Sequence, residues 1–212
     1  MKKYFLKLKY AINGLFFSIF RKKKQIRLGI YGPPNAGKST LANKITKDWI
    51  GEEFTKSSSI EHETREILVK ENVEISSKGK KISFNIIDTP GIATKIDYED
   101  FVKKGLKSNE SKQRAKEATK GVIEAIKWLD HVDTVLVVLD ATKDPMNQVN
   151  ITIIGNLEAR GIPVLVVANK IDRKDASAQN IRDAFTQYDV VGISARDGTG
   201  MEYLYEKLFG LI

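Results

Sequence analysis

Residues 32–40 read GPPNAGKST, and this run most restricts the folds open to the chain. It follows an apolar stretch that reads as a buried strand and precedes STLANKIT, a segment with helical spacing. Four residues satisfy the pattern G-x-x-x-x-G-K-[ST]: Gly32, Gly37, Lys38 and Ser39. The glycines let the backbone bend until successive N–H groups point inward at an anion. The partial positive charge at the N-terminus of the next helix adds to this attraction. A strand, this loop and a helix must therefore meet at a phosphate-binding turn.

The rest of the chain alternates short β-branched stretches with stretches of helical spacing. Strands are predicted at residues 26–32, 68–76, 82–88, 134–140, 163–169 and 189–194. Helices are predicted at 39–46, 111–131, 147–161, 177–185 and 201–212. Such alternation predicts an α/β sandwich with a mainly parallel sheet.

Two acidic or hydroxyl side chains near the loop predict a divalent cation. Ser39 offers a hydroxyl to Mg²⁺, and Lys38 can reach the β- and γ-phosphates of a nucleoside triphosphate. Asp88 ends a predicted strand within DTPG, at the edge where open parallel sheets bind their ligands. A carboxylate there can hold Mg²⁺ directly or through water, and Gly91 can turn its N–H onto the γ-phosphate. DTPG alone is also a good turn sequence, so its weight comes from following the loop and the strand.

The motif NKID, residues 169–172, follows another predicted buried strand and indicates which base of a bound nucleotide the chain prefers. Asp172 can accept hydrogen bonds from N1–H and the 2-amino group of guanine, an arrangement that adenine cannot reproduce. Asn169 would contact the other edge of the base, and Lys170 would pack along the nucleotide. These residues disfavour an adenine-nucleotide kinase built on the same loop.

A second loop, SAR at residues 194–196, follows the last predicted strand. Ser194 opens it, and the N–H of Ala195 would meet the guanine oxygen. Both residues are therefore predicted to belong to the base site.

With these motifs in order, the chain resembles the small GTPases of the translation-factor class, and within them the Era-like family. The resemblance rests on GPPNAGKS, a threonine in HETRE, DTPG, NKID and SAR, and covers about residues 26–212. It implies a GTP hydrolase with a P-loop NTPase fold, a three-layer sandwich whose six-stranded, mainly parallel sheet is flanked by helices. Era proteins carry a further C-terminal RNA-binding KH domain, which we expect to be absent here.

The resemblance also implies roles for individual residues. Nucleotide contacts fall on Asn35, Ala36, Gly37, Lys38, Ser39 and Thr40. Catalytic roles fall on Lys38, Thr64 and Gly91, and Mg²⁺ contacts on Ser39, Thr64 and Asp88. On this resemblance Thr64 is the switch threonine, which contacts Mg²⁺ and the γ-phosphate in the GTP state. The residues alone do not distinguish Thr64 from Thr55 in this role. The switch segments would be residues 52–66 and 91–110.

Hydrolysis should be slow, because Ile92 stands where many GTPases have a glutamine that orients the attacking water. Asn35 matches the asparagine that helps potassium-activated relatives bind K⁺ beside the phosphates, although asparagine also suits a turn. A partner protein or a homodimer in the GTP state could complete the site instead.

The basic charge of the chain is concentrated at one end. Residues 1–27 hold nine of the 35 basic residues and no acidic one, so the remainder is nearly neutral. Residues 1–24 are predicted to be a basic amphipathic segment and residues 25–212 a GTPase domain. The segment suits an anionic membrane surface or a protein partner, RNA through RKKK, or packing on its own domain. The absence of cysteine fits the cytoplasm, so the chain is predicted to be cytoplasmic or peripheral on the cytoplasmic membrane face.

Overall fold

A computed structural model describes residues 25–52, 67–77, 80–89, 123 and 125–211. Within these residues one sheet contains β1 (Gln25–Tyr31), β2 (Leu68–Ser77), β3 (Lys80–Asp88), β4 (Thr134–Asp140), β5 (Val164–Asn169) and β6 (Val190–Gly192). The strand order is β2-β3-β1-β4-β5-β6. β2 and β3 are antiparallel, and every other neighbouring pair is parallel. The predicted α/β fold with a mainly parallel six-stranded sheet is confirmed.

The helices pack on both faces of this sheet. They are α1 (Lys38–Ile50), α2 (Gln148–Ala159), α3 (Ala178–Ala184) and α4 (Met201–Gly210). Residues 125–128 are also helical and run into a 3₁₀ turn at Leu129–His131, so the helix predicted to reach residue 131 ends earlier. Among the described residues no helix is long and apolar enough to cross a membrane.

The central strands are buried because both of their faces are covered. All seven residues of β4 are buried. Alternate side chains enter opposite cores: Leu136 and Val138 pack on the side of α1 and α4, and Val135 and Val137 on the side of α2 and α3. This alternation fixes the register of the sheet and hence which residues lie at its carboxyl edge.

Two strand ends differ from the prediction for reasons of backbone bonding. Pro163 has no N–H to give to a ladder, and β5 begins at Val164. The last strand was expected to continue to Ser194 but ends at Gly192. The Ser194 N–H donates to the Thr199 carbonyl at 2.9 Å, which bends the chain into the loop that carries SAR.

Candidate nucleotide site

The phosphate loop follows β1 directly and leads into α1, as the sequence predicts. Gly32 has φ +154°, and a Cβ there would lie 2.2 Å from the carbonyl oxygen of Val138. Gly37 has φ +94°, and its Cβ would lie 2.3 Å from Nδ2 of Asn169. Both glycines are therefore required by close approach to neighbouring strands as well as by backbone conformation.

The tip of the loop is exposed. Asn35 has φ +61°, a left-handed conformation that asparagine tolerates better than most residues, and its side chain lies at the surface. Ala36 is buried beside it, and Thr40 is exposed on the first turn of α1. The turn backbone alone thus accounts for an asparagine at position 35, and the potassium role remains a prediction.

Lys38 points back into the loop. It is 6% exposed, and its Nζ donates to the Pro33 carbonyl at 3.2 Å. Burial lowers the pKa of Lys38 to about 8, although the negative charge of Asp88 acts in the opposite direction. The ammonium group is thus held in a site with few compensating contacts, which a phosphate group could supply.

Asp88, at the end of β3, is fully buried. Neither of its carboxylate oxygens has a hydrogen bond of ordinary geometry within the part of the chain that the structure describes. Burial raises the pKa of Asp88, and the Ser39 hydroxyl, the Lys38 ammonium and the Thr89 backbone oppose that rise only in part. The register pairs Asp88 with Ile30, which brings it beside the start of the phosphate loop.

This carboxylate and the Ser39 hydroxyl are the hard oxygen donors that Mg²⁺ prefers. The described residues contain no cluster of three His, Cys, Asp or Glu side chains that could hold a metal by themselves. Mg²⁺ sites at nucleotides have this character, with one or two protein oxygens completed by phosphates and water. The residues present fit the predicted Mg²⁺.

Asn169 joins the loops of the site. Its side chain is buried, Nδ2 donates to the Ala36 carbonyl at 2.8 Å, and Oδ1 accepts from the Ala195 N–H at 3.0 Å. The NKID motif predicts that Asn169 contacts the base, and the SAR motif predicts that the Ala195 N–H meets the guanine oxygen. In this structure the two residues bond to each other, so Asn169 also acts as a bridge between the phosphate loop and the SAR loop.

The other residues predicted for the base site flank Asn169 and Ala195 along the chain. Lys170 has φ +69°, and its Nζ lies 2.7 Å from Oδ2 of Asp140. Asp172 is exposed, whereas Ser194 is fully buried, with its Oγ 3.4 Å from the Asp197 N–H. Asp140 was missed by sequence reasoning, yet it carries the same signal as Asp88: an acidic residue that ends a buried strand.

Several predicted features lie outside the described residues. They are Thr55, Thr64, Gly91, Ile92 and the N-terminal segment of residues 1–24. The described residues therefore bring together the phosphate loop, Asp88, NKID and SAR.

The lowered pKa of Lys38 predicts that pH affects the stability of the protein and its affinity for a nucleotide in opposite directions. Between pH 8 and 10.5 the unfolded chain carries a proton on Lys38 that the nucleotide-free folded chain lacks, so the free energy of unfolding should rise with pH. Affinity for a nucleotide should fall over the same range, by up to about tenfold per pH unit, because a neutral amine does not attract phosphate. Thermal melts and equilibrium binding at pH 7.5, 8.5 and 9.5 would measure both. A Lys38→Met variant should show neither trend.

A sheet of this order, with a glycine loop and lysine between β1 and α1 and an acidic residue ending β3, defines a P-loop nucleotide-binding domain. The family described as 50S ribosome-binding GTPase matches residues 27–170, more than half of the chain. The chain belongs to this GTPase family.

Individual relatives agree with this assignment. The chain is 28% identical to the tRNA modification GTPase MnmE of Bordetella petrii over 189 residues, which cover 89% of this chain and 34% of that protein. It is 31% identical to the GTPase Der of Kosmotoga olearia over 197 residues, which cover 89% of this chain and 39% of that protein. The chain thus spans little more than a third of the length of these curated relatives.

Among solved structures, the chain resembles a variant of Era from Aquifex aeolicus bound to GDP and AlF4⁻. The TM-score is 0.67 at 24% identity, over 90% of this chain and 57% of that one. This likeness shows the shared fold. The curated relatives are named MnmE and Der, and the likeness to Era shows only a shared fold, so the comparisons establish the wider GTPase family rather than its Era-like branch.

Proposed function

We propose that this chain is a Mg²⁺-dependent GTPase of the Era-like type, which hydrolyses GTP to GDP and phosphate and acts as a nucleotide-dependent switch. The observation that carries the proposal is the burial beside the phosphate loop of two groups of opposite charge, Lys38 and Asp88, whose charges interact at a distance. Each is poorly compensated by protein groups, and a magnesium nucleotide supplies both a phosphate anion and a cation.

Each part of the site then has one task. Lys38 and the backbone N–H groups of the loop hold the phosphates, and Ser39 and Asp88 hold Mg²⁺, which when bound neutralises charge on the phosphate oxygens. Thr64 and Gly91 are proposed to contact the γ-phosphate in the GTP state. Phosphoryl transfer depends mainly on positioning and electrostatic stabilisation, so this set can support hydrolysis without a covalent intermediate.

The base is proposed to be guanine. The exposed carboxylate of Asp172 can accept two hydrogen bonds from the Watson–Crick edge of guanine. The buried side chain of Asn169 holds the NKID and SAR loops together. Adenine lacks the N1–H and 2-amino donors of guanine, so it would leave the Asp172 carboxylate without hydrogen bonds and adenine nucleotides should bind more weakly.

The direct test is to measure phosphate release from GTP with Mg²⁺ and with a chelator, and to titrate labelled GDP and ADP. We expect Mg²⁺-dependent turnover and a clear preference for GDP. Equal affinity for the two diphosphates would contradict the guanine assignment, and failure to bind either would contradict the proposal as a whole.

The alternative is a nucleotide-gated tether with little hydrolysis, attached through the basic residues 1–24. Turnover of the full chain and of a chain that starts at Gln25, with and without anionic liposomes, separates the two. Hydrolysis by both chains favours the enzyme. Liposome binding that follows nucleotide state, with negligible hydrolysis, favours the tether.

Potassium is proposed to assist through Asn35, at the exposed tip of the phosphate loop. We expect GTP turnover to be about tenfold faster in KCl than in NaCl at equal ionic strength, because a fixed cation beside the phosphates stabilises developing charge. Asn35→Gly, which suits the positive φ of this position but has no side-chain oxygen, should abolish the difference. Equal wild-type rates in the two salts would remove the potassium role and leave the GTPase proposal intact.

A further inference from the structure

Asp140 ends β4 at the carboxyl edge of the sheet, and none of the nucleotide motifs includes it. In the sheet register it pairs with Asn169 of β5, so it lies beside the first residue of NKID. Its side chain is 7% exposed. A carboxylate buried to this extent needs partners for its charge, and the identity of those partners indicates what it does.

The two carboxylate oxygens of Asp140 have different partners. Oδ1 accepts hydrogen bonds from the backbone N–H and the hydroxyl of Thr142, at 3.0 and 2.7 Å. Oδ2 accepts from Nζ of Lys170 at 2.7 Å. One oxygen therefore fixes the carboxylate to the chain after β4, and the other is directed at the lysine of NKID.

The backbone around Lys170 is held as firmly as its side chain. Lys170 has φ +69°, which is uncommon for a residue with a Cβ. The Ala141 N–H donates to the Asn169 carbonyl at 2.9 Å, and the Ser177 N–H donates to the Ala141 carbonyl at 2.8 Å. The segments that follow β4 and β5 are thus joined, and the ammonium group of Lys170 is tied to a buried partner instead of extending into water.

We propose that Asp140 is a positioning residue of the guanine-nucleotide site, which holds the Lys170 side chain where it packs along the bound nucleotide. This inference rests on the proposed function, since it assigns to Lys170 a contact with the nucleotide. The competing explanation is a structural ion pair that stabilises the fold and has no effect on the ligand.

Asp140→Asn separates the two explanations, because asparagine keeps the shape and an oxygen for Thr142 but removes the charge opposite Lys170. We expect the Kd for GDP and the KM for GTP each to rise about tenfold, the effect of losing one hydrogen bond between charged groups. The value of kcat should stay within about twofold, because a contact that is equal in ground and transition states affects KM alone. A structural ion pair would lower the melting temperature and leave KM unchanged.

Asp133→Asn is the matched control. Asp133 precedes β4 at the opposite edge of the sheet, where its buried carboxylate pairs with Arg27 at 3.0 Å. This variant should lose stability without any change in KM. A double-mutant cycle with Lys170→Met should show that Asp140→Asn has no further effect on GDP affinity once the ammonium group is gone.

Thr142→Val gives a second, milder variant should Asp140→Asn fail to fold. It removes one of the hydrogen bonds that orient the Asp140 carboxylate, and we expect the Kd for GDP to rise about threefold. Wild-type affinity in a folded Asp140→Asn or Thr142→Val protein would overturn the inference while the GTPase proposal stands. Failure of the wild-type protein to bind GDP would overturn both.

Discussion

Replacing Lys38 with methionine should weaken GDP binding about a thousandfold and abolish detectable GTP hydrolysis. Methionine has nearly the length of the lysine stem but no charge, so the proposed phosphate site loses its buried cation. Truncating one partner of a buried, hydrogen-bonded charge pair costs about 4 kcal/mol, and each 1.4 kcal/mol is about a factor of ten in affinity. Isothermal titration of the nucleotide-free protein with GDP, in the presence of Mg²⁺, measures the loss.

The stability of this variant should change far less than its affinity for GDP. Burial lowers the pKa of Lys38 to about 8, so the folded, nucleotide-free protein holds the ammonium group at a disadvantage. Methionine removes that disadvantage, but it also takes away the cation that opposes the rise in the pKa of the buried Asp88, so the two effects offset and we expect the nucleotide-free variant to melt near the wild-type temperature. Lost affinity with retained stability separates a binding role from a structural one.

Lys47→Met is the control on the same helix. Lys47 is exposed near the end of α1, and its replacement should leave GDP affinity within about twofold because an exposed charge at the far end of the helix from the phosphate loop is screened by salt. A folded Lys38→Met protein that binds GDP as tightly as wild type would contradict the assignment of the phosphate site. Comparable losses in both variants would point to a general effect of net charge.

The parts of the site that lie within one short run of sequence were predictable. The phosphate loop combines a glycine pattern with an apolar strand before it, and Asp88 and NKID each end an apolar strand. Parallel strands bring their carboxyl ends to one edge, so the meeting of these motifs followed from the fold class.

The parts that depend on contacts between distant segments were not predictable. The bond from Asn169 to the Ala36 carbonyl joins residues 133 positions apart, and it requires the registers of β1, β4 and β5 to be known. The partner of Lys170 depends on the same register, because Asp140 pairs with Asn169 across two strands. A motif assigns a residue to the ligand, but it does not show which protein groups hold that residue in place.

Asn169→Ala tests the bridge and should weaken GDP binding about a hundredfold. The substitution leaves the Ala36 carbonyl and the Ala195 N–H without their partner, and each buried polar group left unsatisfied costs about 1–3 kcal/mol. The free energy of unfolding should therefore fall by about 2 kcal/mol or more. Chemical denaturation and titration with GDP measure the two effects. Asn156→Ala, which removes a hydrogen bond within α2 to the Thr152 carbonyl, should leave GDP affinity unchanged.

The bridge also predicts that Asn169 and Gly37 are coupled. A Cβ at Gly37 would lie 2.3 Å from Nδ2 of Asn169, so Gly37→Ala must displace the asparagine and break its bonds. In the Asn169→Ala background that clash is gone, and only the strain of alanine at φ +94° remains. We expect the double variant to lose about 1 kcal/mol less stability than the sum of the single losses, since contacting residues are not additive. Strict additivity would mean that Asn169 does not occupy the position that joins the phosphate loop to the base site.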